Sequence, residues 1–179
     1  IGLGFWIFYQ PFIQLWMGKE YLLSNAFVAL FSVTIYLGAV WEIVYKYRTV
    51  FGDYKQDRNF MIASAFLNVV ISVLAARKFG IVGVQFGTLV AFLPIALGRI
   101  RFVVKNYFGQ SMARYILKHM LIFVLVLLEG IICYAFVKNM PVSIGGFLER
   151  IFVWAFVPLV VNLLVFGRSK YFKQLVLYL

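Results

Sequence analysis

Ionisable side chains are scarce in this chain, so each one set in apolar surroundings is a candidate for chemistry. Glu129 is the clearest case, placed mid-way through the run Leu-Val-Leu-Leu-Glu-Gly-Ile-Ile that starts at Leu125. A carboxylate there must protonate, pair with a cation or face water. Two roles stay open for it: a proton or cation coupling site lining a polar cavity, or a hydrogen bond to a neighbouring helix. Glu42 lies one helical turn from Lys46, where an i,i+4 pair at a membrane surface is the expected use. Arg99 and Arg101 close an apolar run. They snorkel to headgroups, or they face a cavity that receives an anionic lipid. Asn68, Ser72, Gln85, Thr88 and Asn162 are uncharged polar groups inside apolar runs, where such groups bridge helices. His119, the only histidine, stands beside Lys118 at the edge of a run, a place that suits the interface better than catalysis. Cys133, the only cysteine, reads as a small buried hydrophobe. There is no Ser/His/Asp set, phosphate-binding loop, HExxH motif or metal-ligand spacing, so neither an enzyme nor a cofactor is expected.

The elements that hold these residues follow from composition. Of 179 residues, 64% are hydrophobic and 13% charged, with a mean hydropathy of +0.95. Soluble domains are nearer half apolar and about a quarter charged. A bilayer accommodates this composition by acting as apolar solvent. The runs also lack the two-residue alternation of a barrel. The expected fold is all-α, a polytopic transmembrane helical bundle of about six helices forming a single transmembrane domain over residues 1–179. The expected spans are Ile1–Met17, Tyr21–Tyr45, Asn59–Ala76, Phe79–Gly98, His119–Val137 and Ile151–Gly167. Pro11, Pro94 and Pro158 fall inside spans. Gly80, Gly83 and Gly87 permit close helix approach at the entry to the fourth, the last two at GxxxG spacing.

The net charge of +11 could point to nucleic acid, but the basic residues sit between apolar runs and not along one polar face. They are better read as juxtamembrane cations. The 46–58 loop, the 99–118 loop and the segment after Gly167 hold 12 of the 17 Lys and Arg residues. Lys19, Arg77, Lys78, Lys138 and Arg150 fall at the opposite ends. The positive-inside rule then makes the first group, and with it the C-terminus, cytoplasmic. The 105–118 stretch is expected to contain a short interfacial helix, with Arg114 and Lys118 at the surface. Lys138 to Arg150 is the longest outward loop. Ile1 opens inside an apolar run with neither a charged leader nor a cleavage site, so a longer protein missing its N-terminal half is expected.

Four segments in order carry a family likeness. Pro11 to Leu22 reads P-F-I-Q-L-W-M-G-K-E-Y-L, Tyr47-Arg48 and Gly52 lie in a basic loop ending at Arg58, Leu67 to Ser72 reads L-N-V-V-I-S, and Gly80 to Thr88 reads G-I-V-G-V-Q-F-G-T. This series resembles the C-terminal half of bacterial polysaccharide flippases of the oligosaccharide-exporter type, whose superfamily includes multidrug/toxin extruders. The likeness covers roughly residues 11–110. It implies one lobe of a two-lobed exporter in the bacterial inner membrane. Such an exporter moves an undecaprenyl-pyrophosphate-linked oligosaccharide by alternating access, with membrane lipids, a coupling proton or sodium ion and the other lobe as partners. Glu129, Arg99, Arg101, Glu42, Asn68 and Gln85 are the residues expected to serve substrate or coupling. The other readings are a multidrug/toxin extruder, a membrane-embedded glycosyltransferase or polymerase acting on the same lipid carrier, and a non-transporting scaffold.

Overall fold

The computed structural model of the protein describes residues 1–52, 55 and 58–169. Among them are six α-helices and no strand: α1 (Gly2–Trp16), α2 (Asn25–Phe51), α3 (Arg58–Phe79), α4 (Ile81–Asn106), α5 (Met112–Val137) and α6 (Ile144–Phe166). Helices α2 to α6 are long and apolar enough to cross a membrane, and the chain is a multi-pass membrane protein. With 15 residues, α1 spans only about 22 Å at 1.5 Å per residue, short of the roughly 30 Å hydrocarbon layer. Five helices therefore qualify as spans where six were expected.

Helix boundaries follow local chemistry more than hydropathy. Ser24 caps α2 by accepting from the Phe27 amide at 3.3 Å, and Gly52 ends it in the left-handed region at φ 70. The helix thus runs past Tyr45 and carries Lys46 and Arg48 on its last turns. Likewise α4 continues beyond Gly98 to Asn106, so Arg99, Arg101 and Lys105 are helical. No separate interfacial helix forms over 105–118; Arg114 and Lys118 belong to the first turns of α5. Ser143 caps α6, accepting from the Gly146 amide at 3.1 Å, and the helix starts seven residues earlier than its hydropathy indicated. The loop expected to face outward therefore shrinks to 138–143, and Arg150 moves from loop to helix. The 12 basic residues assigned to one side keep to the same chain ends, except that Lys170 and Lys173 lie outside the described residues.

The helices gather into two compact units, with α1 and α5 contributing to both. The first comprises residues 1–6 and 23–121. Its core is Val44, Ile100, Val103 and Val104, flanked by Trp41, Tyr107 and Tyr115. Helices α3 and α4 form a hairpin turned by Gly80 alone, at φ 58. Small residues let their backbones meet: a Cβ on Gly83 would strike the Ala75 backbone, and one on Gly87 would lie 2.6 Å from the Ser72 amide nitrogen. Ser64 donates to the Ala91 carbonyl. The Ser72 hydroxyl has both Asn68 Oδ1 (3.1 Å) and the Val84 carbonyl (3.3 Å) in reach. Nine residues of α4 are buried, against Ser72 alone in α3. Helix α4 is thus the centre of this unit, while Ile62, Phe66, Val69 and Leu74 of α3 stay exposed, as a bilayer solvent allows.

The second unit comprises residues 7–22 and the described residues from 122 onward. Phe8 packs against Phe147 (ring centroids 5.4 Å apart) and Trp154 (5.7 Å), fixing α1 to α6. Gly18, at φ 110, ends α1 and opens a single 3₁₀ turn over Lys19–Tyr21. Only glycine adopts that conformation readily, which gives the Leu-Trp-Met-Gly segment a local reason.

Candidate functional site

The residues singled out from sequence fall into three places. Glu42 and Arg99 line one cleft between α2 and α4, together with Gly38, Trp41, Val44, Tyr45, Phe92, Ala96 and Ile100; its volume is about 350 Å³. The Arg99 guanidinium carbon lies 5.0 Å from the centroid of the Tyr45 ring. The guanidinium carbon of Arg48, a buried residue, lies 4.9 Å from the same centroid. At these distances the ring quadrupole attracts both guanidinium groups. Glu42 meets Lys46 at 4.0 Å, as the spacing indicated, but both side chains are more than half exposed, so the pair contributes little. Arg101, two positions beyond Arg99, is exposed and does not line the cleft.

Asn68 and Gln85 lie elsewhere in the same unit. Asn68 sits in the α3–α4 seam beside Ser72. Buried Gln85 donates from Nε2 to Thr34 Oγ1 at 2.9 Å, tying α4 to α2. Thr88, expected to bridge helices, bonds back to the Val84 carbonyl of its own helix at 3.2 Å. His119 also stays local, with Nδ1 2.9 Å from the Tyr115 carbonyl oxygen.

Glu129 belongs to the second unit. It is 4% exposed, and its Oε1 accepts from Asn162 Nδ2 at 2.7 Å, joining α5 to α6. The second proton of that amide reaches the Pro158 carbonyl at 2.8 Å. An amide N–H can donate to a carboxylate or to the carbonyl oxygen of a protonated acid. The pair can therefore persist in either protonation state. Cys133, one turn further along α5, is fully buried, as its apolar run indicated.

No protein-family model, curated protein or solved structure matches the chain. Among the described residues, no cluster of three or more His, Cys, Asp or Glu is arranged to hold a metal ion.

Two features escaped the reading of the sequence. One is the pairing of Arg48 and Arg99 on Tyr45. Tyr45 and Arg48 are three residues apart on α2 and so share a face, but only the packing of α4 adds the second cation. The other is Arg150, taken above for a loop cation. It is 5% exposed and donates to four carbonyls: Nη1 to Pro141 (2.9 Å) and Gly146 (3.1 Å), Nη2 to Val137 (3.5 Å) and Met140 (2.7 Å). They lie at the end of α5, in the turn that follows and in the first turn of α6; the Val137 carbonyl also accepts from the Met140 amide at 3.1 Å. Arg150 thereby closes the α5–α6 turn.

Proposed function

We propose that this chain is part of a transporter in the bacterial inner membrane, C-terminus cytoplasmic. Its cargo is an undecaprenyl-pyrophosphate-linked oligosaccharide destined for cell-surface polysaccharide, carried by alternating access with a second lobe completing the path. The observation that carries the transport reading is Glu129, a buried carboxylate inside a spanning helix held by Asn162 of the next helix. An ionisable group at such depth is expensive in lipid, so its retention favours a functional role. Exchange of a proton or sodium ion there is the coupling step. The choice of cargo rests on the four ordered segments between Pro11 and Thr88. Gly38, Trp41, Tyr45 and Phe92 also leave an aromatic-lined cleft on the cationic side, which would equally suit the multidrug/toxin extruders of the same superfamily.

The test is Glu129→Gln in a strain whose surface polysaccharide depends on this gene. The amide preserves the shape and an acceptor for Asn162 but cannot exchange a proton. Surface polysaccharide should fall at least about tenfold, equivalent to about 1.4 kcal/mol in a limiting step, at unchanged protein level by immunoblot. Unchanged export removes Glu129 from the mechanism. Deleting the gene separates the cargoes: lost polysaccharide with lipid-linked precursor retained on the cytoplasmic face supports the flippase. Intact polysaccharide with raised sensitivity to toxic cations supports the extruder.

A further inference from the structure

Helices α2 and α4 have 27 and 26 residues, about 40 Å each at 1.5 Å per residue, against a hydrocarbon layer of roughly 30 Å. Upright, each is longer than that layer is thick, and tilt takes up part of the excess. Their basic ends carry Lys46 and Arg48 on α2 and Arg99, Arg101 and Lys105 on α4. Those two ends lie side by side, because the Phe51 and Tyr107 rings stack at 4.3 Å and Tyr47 meets Phe108 edge-on at 4.9 Å. The cleft starts where the cations start. Its apolar part, Gly38, Phe92 and Ala96, lies one to two turns deeper in the helices than the Tyr45 and Arg99 rim. A ligand seated there meets apolar surface at the depth of acyl chains and positive charge at the depth of headgroups.

We infer that this cleft binds the phosphoryl headgroup of a membrane phospholipid, with Arg99 as the phosphate donor and Tyr45 as its platform. The planar guanidinium fork can donate two N–H groups to two phosphate oxygens, and the Tyr45 ring centroid lies 5.0 Å from the Arg99 guanidinium carbon. Arg48, on the same ring, adds positive potential. Glu42 on the cleft wall opposes an anion, but Lys46 at 4.0 Å offsets it. Among these four described residues, the cations Arg48, Arg99 and Lys46 outnumber the one carboxylate, with Arg99 and Glu42 on the cleft wall itself. A volume of about 350 Å³ stands at the low end of small-molecule sites. It accommodates a phosphoryl group with its glycerol, not an oligosaccharide. The site stands whether or not the chain transports a glycan.

The experiment titrates the full chain in detergent with dihexanoyl phosphatidylglycerol, reading tryptophan fluorescence, to which Trp41 in the cleft wall contributes. Dihexanoylglycerol, which lacks the phosphoryl group, and inorganic pyrophosphate are run alongside. Saturable binding is expected for the phospholipid and not for dihexanoylglycerol. Arg99→Gln should weaken it at least tenfold, and Glu42→Gln should strengthen it several-fold by removing the opposing carboxylate. Misfolding could mimic the loss but not the gain, so the second variant keeps the inference exposed. Absence of saturable binding, equal affinity in the Arg99 variant, or no gain in the Glu42 variant overturns it. Pyrophosphate binding as tightly as the phospholipid, with the same Arg99 dependence, reassigns the cleft to a soluble or carrier-borne pyrophosphate and overturns the phospholipid assignment.

Discussion

Two hairpins in this protein solve the same problem by opposite means. Helices α3 and α4 meet backbone to backbone. Gly83 and Gly87 take up the crowded positions, and short serine hydroxyls supply the polar contacts. Helices α5 and α6 are joined by long polar side chains. Arg150 gathers four carbonyls at the turn, and Asn162 reaches Glu129 further along. In lipid, where apolar burial does not drive helices together, close van der Waals fit and interhelical hydrogen bonds are the two means available. The difference matters for function. A seam of close backbones tolerates no added volume and behaves as a rigid plate. A pair held by a few hydrogen bonds can re-form them with altered partners. The ionisable group that could power a cycle lies in the second hairpin, where a change of partner is chemically possible.

The sharpest way to break this comparison is to add volume to the first hairpin. In Gly87→Leu, a branched side chain is built where even a Cβ would meet the Ser72 backbone. The neighbour is main chain and cannot rotate away, so the loss should reach about 3 kcal/mol, the upper part of the range for overpacked sites. Titration with dodecyl sulfate, followed by far-ultraviolet circular dichroism, measures it. A Leu variant as stable as the parent would mean that the seam is not limited by fit.

Next in size is Arg150→Met, which keeps much of the length and apolar character of the stem but removes the guanidinium. The Met140 and Pro141 carbonyls of the α5–α6 turn then lose this donor, at about 1–3 kcal/mol for the set. Cys133 provides a built-in reporter, since it is the only thiol in the chain and is fully buried in α5. Its reaction with a maleimide should quicken tenfold or more in the Met variant. Arg150→Lys should fall between, because an ammonium offers charge without the planar fork that reaches several carbonyls at once. Equal labelling in all three proteins would show that the carbonyl contacts do not hold the hairpin closed.

How much of this was legible beforehand differs between the hairpins. The glycines at 80, 83 and 87 announced close approach by spacing alone, and each has a physical use: a left-handed turn at Gly80, then two contact points one helical turn apart. The same glycines belong to a segment that carries the family likeness, so part of that likeness is accounted for by packing without reference to cargo. Hydropathy located five spans but misplaced their ends, because caps such as Ser24, Ser143 and Gly52 are polar or small residues with no weight in a hydropathy sum. Arg150 was misread for the same reason. A charge near a run's edge looks like a loop residue until the cap upstream shows that the helix has already begun. The cleft was half visible, with Glu42 and Arg99 named from sequence. The ring that joins Arg99 to Arg48 needs the α2–α4 packing, which no local pattern encodes.

The smallest effect expected bears on the most consequential residue. Asn162→Leu removes the amide that donates to Glu129 while keeping the size of the side chain. Single interhelical hydrogen bonds in membrane proteins contribute on average about 0.6 kcal/mol and at most about 1.7 kcal/mol, so stability should drop by that order and Cys133 labelling should rise only a few-fold. Glu129→Gln, which leaves an acceptor facing Asn162, should change stability less than Asn162→Leu does. Activity should follow the reverse ranking. If Glu129 exchanges a cation, Gln abolishes the exchange, whereas Leu at 162 leaves the carboxylate in place with an altered environment. The two variants therefore separate structural from functional use of one hydrogen bond. A Gln variant that destabilises the protein more than Asn162→Leu, and an export defect that simply tracks stability across both, would return Glu129 to the role of interhelical bridge and leave the second hairpin no different in kind from the first.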